Sequence, residues 1–510
     1  MKIERTKNAA RNILFGIILK AYQIIVPFLM RTAMIYLMGV QYLGLNSLFT
    51  SILQVLNLAE LGVGSAMVYS MYKPIAEDDE TTICALMKLY RTYYRVIGLV
   101  IAVVGCMLTP LIPRLVSGDV PAGINLSVLY LLNLGATVLS YWLSAYKNSI
   151  LQAYQRTDVV SKVMLVTNTL QYGLQLLVLW RFKNYYYYVI VMLAAQALTN
   201  VLTAAAADRL YPKLKPRGKA DEKDVQKINQ RIKDLFTSKI GGIIYDSADT
   251  IVVSACLGLS VLAVYQNYFF ILNAVNGIIS VIFTACTAGI GNSIVVETKE
   301  KNYRDLSKFT FIVCWISGVC ASCLLCLYQP FMELWVGKDL MLALSAVVCF
   351  VVYFFVRQLN SLYNLYKDAA GMWHTDRFRP LVAALTNLAL NVILVQFIGI
   401  YGVLLSTVLA ILGVGMPWLL HNLFTTIFEK KFFYGYMKKL IFYCAMTGVS
   451  CIVTYCTCSE IVLGKTGTLL VRGMICLMVP NLIYFLAYRR CEEYRQSLGL
   501  VQRILSCTSK

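Results

Sequence analysis

The sequence predicts an all-α, polytopic integral membrane protein of about fourteen transmembrane helices, with twelve of them in two parallel six-helix repeats and two more at the C-terminal end. Three observations carry this prediction: a composition too apolar for water, apolar runs of membrane-spanning length, and a self-similarity at an offset near 219 residues.

Of the 510 residues, 59% are hydrophobic and 14% charged, and mean hydropathy is +0.66. Soluble domains average about 45–50% apolar and about 25% charged, so too little polar surface remains here to coat a globule. The same hydrophobicity excludes disorder. Lys and Arg number 46 against 26 Asp and Glu, a net charge of +20. In a soluble protein that excess would suggest nucleic acid. In a membrane protein it follows from the bias of cytoplasmic loops toward Lys and Arg, and no nucleic-acid partner is expected.

The apolar runs lie at about 12–38, 45–72, 89–112, 125–146, 160–180, 187–207, 238–257, 264–295, 309–330, 340–366, 380–397, 402–427, 440–458 and 468–488. Each is about 20 residues or longer, enough to cross about 30 Å of hydrocarbon at 1.5 Å per residue. Pro27 and Pro417 fall inside runs, where neighbouring helices satisfy the freed backbone groups. The basic amino terminus mimics a signal peptide, but it lacks a small-residue cleavage site and its run is too long, so it reads as the first span.

With both termini cytoplasmic, the eight inner segments and the helix ends adjoining them hold 37 of the 46 basic residues. The outer loops hold only Arg114, Arg181, Lys183, Lys338, Lys465 and Arg472, and Lys20, Arg31 and Arg357 lie within spans. The alternation survives every loop and fixes the expected orientation. The expected domains are an N-terminal lobe at 1–207, a basic cytoplasmic linker at 208–237, a C-terminal lobe at 238–427, two extra helices at 428–490 and a cytoplasmic tail at 491–510. Within the linker, Val225, Ile228, Ile232 and Leu235 recur at near-helical spacing among Lys223, Lys227, Arg231 and Lys233. That pattern fits either a basic amphipathic helix on anionic lipid or a solvated connection.

No outer loop is long enough to hold a catalytic domain, which argues against a glycosyl polymerase, ligase or transferase. Gly464-Lys465-Thr466 has Ser459 where a phosphate loop needs its first glycine. The two histidines, His374 and His421, lack partners for metal binding or catalysis, and no cofactor is expected. Among the sixteen cysteines, Cys314, Cys320, Cys323 and Cys326 share one helix but point in widely separated directions, so one ion cannot collect them. They read as small apolar residues. The run Tyr185 to Tyr188 fits an interfacial aromatic belt or an outward sugar contact.

The repeat is visible in several places. Leu37-Met38-Gly39-Val40 matches Cys256-Leu257-Gly258-Leu259, and Lys88, Pro110 and Asp119 recur as Lys308, Pro330 and Asp339. Thr157-Asp158 recurs as Thr375-Asp376, and Thr167-Asn168 as Thr386-Asn387. Six spans per repeat return the second copy in the same orientation, which predicts two lobes related by an axis along the membrane normal and a midplane cavity worked by alternating access.

Six plus six parallel spans resemble the multidrug/oligosaccharidyl-lipid/polysaccharide (MOP) exporter superfamily and its MATE-like fold. Leu58-Ala59-Glu60-Leu61-Gly62-Val63-Gly64-Ser65-Ala66, then Tyr72-Lys73-Pro74-Ile75-Ala76 and Leu89-Tyr90-Arg91-Thr92-Tyr93-Tyr94-Arg95, resemble the Wzx-type polysaccharide flippase branch. The resemblance implies a flippase in the bacterial cytoplasmic membrane for a polyprenyl-diphosphate-linked oligosaccharide, such as an O-antigen or capsule repeat unit. Its expected partners are that lipid-linked substrate, membrane lipids and polysaccharide assembly proteins. A cation-coupled multidrug exporter of the same superfamily is the alternative. The two extra C-terminal helices resemble the lipid II flippase branch, where they are associated with a groove for the lipid tail.

An ionisable side chain at bilayer depth costs about 2.5–3.5 kcal/mol, which makes each one a functional candidate. Lys20 and Arg31 share a face of the first span, and Arg357 sits in the tenth. These cations, with Gln54 and Asn57, are the candidate substrate-binding residues; Glu60, Asp246 and Asp249 are the candidates for coupling or gating. Snorkelling of Lys20 and Arg31 to the membrane face, and a structural ion pair involving Asp246 or Asp249, are the competing structural readings.

Overall fold

The computed structural model describes residues 5–118, 120–372, 375–461 and 463–499; the side chains of Lys239 and Asp246, and all of His374, lie outside the described residues. Hydrocarbon offers no partner for a free N–H or C=O, so an apolar chain of this length satisfies its backbone internally, as helices. In order these are α1 (Arg5–Leu37), α2 (Val40–Leu56), α3 (Val63–Ala76), α4 (Glu80–Leu108), α5 (Leu126–Trp142), α6 (Asn148–Ala153), α7 (Thr157–Arg181), α8 (Tyr185–Leu210) and α9 (Glu222–Leu257). They are followed by α10 (Leu259–Val296), α11 (Lys299–Trp335), α12 (Leu344–Ala369), α13 (Arg379–Ile398), α14 (Ile400–Ala410), α15 (Met416–Thr426), α16 (Phe433–Ser459) and α17 (Lys465–Tyr488).

Among the described residues, thirteen helices are long and apolar enough to cross a membrane, and α5 with Ala145–Ala153, bent by 50°, makes a fourteenth crossing if taken together. The expected second span, 45–72, is not one helix. It breaks after α2 into a 3-10 turn, Asn57–Glu60, and restarts as α3 beyond Gly62, whose φ of +89° is left-handed. Gly39 at φ +110° and Gly258 at φ +88° make the sharp junctions α1–α2 and α9–α10, so the matched glycines of the two repeats occupy matched turns. Asp79 caps α4 by accepting from the backbone N–H groups of Thr81 and Thr82. The hydroxyls of those threonines also donate to it, and together the donors pull its carboxyl down to about 2.

The chain divides into two compact units, Met1–Ala263 and Val264–Lys510. In the first, α1 packs on α7, α7 on α8, α4 on α5 and α2 on α9. The seventh span, which the repeat assigns to the C-terminal half, packs here with the first. Ser254 donates to the Leu115 carbonyl at 2.7 Å and its own carbonyl accepts from Ser117 N–H at 3.0 Å. The amphipathic stretch of the expected linker is the leading part of α9. Its apolar edge is covered by protein rather than lipid, with Ile228 buried and Leu235 so close that a Cβ at Gly62 would meet it at 2.7 Å.

In the second unit α11 is the central helix, packed on α12, α16 and α17. Trp315 of α11 donates to Asn481 Oδ1 of α17 at 2.7 Å within a cluster that includes Phe311, Tyr443, Tyr484 and Tyr488. Helices α13 and α14 form a tight hairpin in which a Cβ at Gly402 would lie 2.4 Å from the Leu394 carbonyl carbon. A five-residue π turn, Ile411–Gly415, joins α14 to α15.

Backbone has no rotamer with which to yield, so Gly402→Ala is expected to cost about 1–3 kcal/mol as an overpacked core does. Gly173→Ala, where the new Cβ meets nothing within 4 Å, is expected to leave stability unchanged or raised. Thermal unfolding of the purified variants in detergent measures both.

Candidate substrate and coupling sites

The break in the second span places Glu60 against three tyrosines. Tyr94 donates to Glu60 Oε1 at 2.5 Å and itself accepts from the Tyr90 hydroxyl at 2.6 Å. Tyr141 of α5 lies 3.1 Å from Glu60 Oε2 and 3.1 Å from Asn57 Oδ1, so Asn57 and Glu60 compete for one phenolic proton. Tyr90 and Tyr94 sit at i and i+4 on one face of α4 with ring centroids 4.3 Å apart, and Tyr94 meets Tyr141 edge-on at 5.3 Å. The half-buried carboxylate is therefore held by neutral donors where the backbone leaves its helix. Gly64 keeps the site open, since a Cβ there would come within 3.1 Å of the Tyr90 oxygen.

Sequence reasoning names Asn57 and Glu60 as site candidates, quotes Tyr90 and Tyr94 only within a family motif, and does not name Tyr141. The Tyr90/Tyr94 spacing was a readable signal, whereas Tyr141, on a different helix, had none.

The other candidates are dispersed. Gln54 is exposed on α2, one turn before Asn57. Lys20 is exposed on α1; Arg31, on the same helix, is half-buried and within electrostatic reach of the Tyr188 hydroxyl on α8. Asp249 is buried on α9 beside buried Ser247 and Thr250. Arg357, in the second unit, donates to the hydroxyl of Tyr353 one turn earlier on α12 and lies 5.8 Å from its ring.

Two buried carboxylates with basic partners mark corresponding positions in the repeats. Asp158, fully buried, takes Arg156 at 2.9 Å and Lys162 at 3.4 Å. Asp376 takes Arg379 at 2.7 Å, and Arg379 continues to Asn364 while Asn422 donates to Asp376. The repeated Thr-Asp dipeptide was visible in the sequence, but its partners, two residues before in one copy and three after in the other, were not. Buried polar residues also join α13 to α14: Asn387 donates to Thr407 at 2.8 Å, Asn391 to Asn387 at 3.1 Å, and Ser406 to Asn391 at 2.5 Å.

The second unit also carries an apolar groove of about 660 Å³, walled by α11, α12, α15 and α16 with the π turn. Leu325, Val352, Leu412, Gly448 and Ile452 are among its lining residues, and several of these side chains are exposed. The π turn shifts α15 relative to α14, and Gly448 leaves one wall without a side chain.

Together the spans, the in-membrane charges and the groove define a multi-pass membrane protein, with a fold shared by a lipid II flippase and multidrug exporters. A lipid II flippase MurJ in an inward closed conformation matches with a TM-score of 0.71 at 17% identity, over 94% of this chain and 99% of the other. An inward-facing MATE family multidrug resistance transporter of the MOP superfamily matches at 0.60 and 14% identity, over 82% and 94%. A point mutant of the Vibrio cholerae MATE transporter VcmN matches at 0.54 and 13%, over 82% and 98%. No curated protein sequence matches. The polysaccharide biosynthesis protein family matches residues 9–287, more than half of the chain, and the chain belongs to that family. The expected resemblance to a polysaccharide-biosynthesis branch is borne out by that family match, and the expected MATE-like fold by the structures.

The phenol bonds to Glu60 are bonds to a charged acceptor, worth about 1.5–3 kcal/mol each. A double-mutant cycle of Glu60→Gln with Tyr94→Phe is expected to show a coupling energy of about 1–3 kcal/mol in detergent unfolding. Additive effects would mean that the two groups do not interact.

Proposed function

We propose that this protein moves a polyprenyl-diphosphate-linked oligosaccharide from the inner to the outer leaflet of a bacterial cytoplasmic membrane by alternating access, in the synthesis of a surface polysaccharide. The observation that carries this reading is the apolar groove built partly from α16. A water-soluble sugar gains nothing from such a surface, and a drug of that size needs a few polar groups to fix its orientation, where this lining is almost wholly apolar. A polyisoprenoid tail, which stays in hydrocarbon while its head group crosses, finds continuous apolar contact there, and because lipid is equally apolar the gain is van der Waals packing rather than transfer out of water. MurJ, the structure matched at 0.71, is by its name a flippase of lipid II, and the family is one of polysaccharide biosynthesis.

In this reading Arg31 and Lys20 meet the diphosphate, for which Arg supplies a forked donor and Lys a point charge. Arg357, Gln54 and Asn57 contribute further polar contacts to the head group. Glu60 gates the second span, because its tyrosine bonds stabilise the break between α2 and α3; Asp246 and Asp249 serve the same coupling role on α9. Both termini face the cytoplasm, as the loop charges require, and assembly proteins of the polysaccharide receive the product.

Gly448→Trp tests the groove, since no atom lies within 4 Å of the Cβ position. The indole fills the groove and removes the packing that a tail would make there. With protein level controlled, the variant is expected to lower surface polysaccharide and accumulate the lipid-linked intermediate, and Gly448→Ala to behave as wild type. In the same assay, Arg31→Gln with Lys20→Gln is expected to reduce export. Unchanged output in the tryptophan variant removes the groove from the mechanism, and in the double variant removes the two cations.

A further inference from the structure

Three cysteines remote in sequence converge in the second unit. Cys326 near the end of α11, Cys458 at the end of α16 and Cys476 in α17 are all buried, and their sulfurs lie within 4.8 Å of one another. The sulfurs of Cys458 and Cys476 are 4.0 Å apart. Cys323, one turn before Cys326, packs against the cluster with Leu327, Tyr455 and Ile475. Of the four α11 cysteines singled out in the sequence only Cys326 belongs to this group, and its partners come from two other helices.

We propose that Cys326, Cys458 and Cys476 form a zinc site that pins α16 and α17 to α11. A Zn–S distance of about 2.3 Å puts the sulfurs of a tetrahedral site about 3.8 Å apart, with a water as the fourth ligand, so only small side-chain rotations separate the present arrangement from a bound one. The ligand set is thiolate alone, which selects soft d¹⁰ ions over oxygen-seeking ones.

Charge selects between such ions. Binding is written Zn²⁺ + 3 RSH + H₂O → Zn(SR)₃(H₂O)⁻ + 3 H⁺, leaving one negative charge in apolar surroundings, which needs a counter-charge. Arg472 stands one turn before Cys476 on the same face of α17. Its Nη2 donates to the Ile461 carbonyl at 3.1 Å, while its Nε is buried without a hydrogen-bond partner among the described residues. Zinc, three thiolates and Arg472 sum to zero charge, whereas monovalent copper in the same set leaves an uncompensated negative charge.

The site has a structural consequence. Leu325 of α11 and Ile452 of α16 line the groove, and Cys326 and Cys458 follow them on the same two helices, Cys458 about 9 Å further along by helix rise. A bound ion therefore sets the spacing of the groove walls at one end.

The full-length protein, expressed with added zinc and purified in detergent, is expected to carry about one zinc per chain by plasma mass spectrometry, the stoichiometry of a single structural site. Cys326→Ser, Cys458→Ser and Cys476→Ser are each expected to lose it, while Cys314→Ser, a buried cysteine elsewhere on α11, keeps it. Arg472→Gln is expected to weaken zinc affinity about tenfold or more, as outer-shell losses do. Should a serine variant fail to fold, the wild type decides: zinc protects these thiols from alkylation, and chelation exposes them and lowers the melting temperature. Substoichiometric zinc, copper in its place, a Cys458–Cys476 disulfide in the non-reduced protein, or alkylation indifferent to chelation would each overturn the proposal.

Discussion

The rest of this structure depends on one constraint, that a backbone amide in hydrocarbon finds its hydrogen-bond partner within the chain. It makes the fold all-helical and makes each departure from helix informative, because something must cover the groups released. The second span leaves its helix at Asn57 and resumes at Val63, and there a carboxylate, an amide and three phenols gather. The π turn at Ile411–Gly415 lies against α12 and α13 and borders the apolar groove. Under the proposed function, these two irregular places are where the head group and the tail bind.

The same constraint explains how polar groups are spent inside each unit. Asp376 is buried together with Arg379, Asp158 is buried under the partly exposed Arg156 and Lys162, and Asn387, Asn391, Ser406 and Thr407 satisfy one another between two helices. Removing one partner of such a set leaves the other stranded at low dielectric, at about 3–5 kcal/mol for a buried charge. These groups hold helices in place. Glu60 differs in that the phenols bonded to it are neutral and exchangeable, which suits a residue that changes state.

Much of the fold was legible because bilayer thickness imposes a length on each apolar run, and because the repeat places glycines at 39 and 258, where a positive φ is needed. The break at Asn57–Gly62 was not read, since Leu, Val and Ala on either side keep the run apolar and one left-handed glycine costs nothing in hydropathy. The leading part of α9 looked like a surface helix because its apolar stripe is amphipathic; its covering surface, around Gly62, lies some 170 residues away in the chain. Tyr141 beside Glu60, and Cys458 and Cys476 beside Cys326, were hidden for the same reason. Periodicity reports which face of a helix is special, and only the packed structure reports what that face meets.

The account rests on a lipid tail being part of what is recognised. Its most direct test is translocation in proteoliposomes of a polyprenyl-diphosphate oligosaccharide, set against the same head group on a short, water-soluble chain. The account predicts protein-dependent movement of the long-tailed substrate and little of the short one. Equal movement of both, or none of the long-tailed substrate, would contradict it.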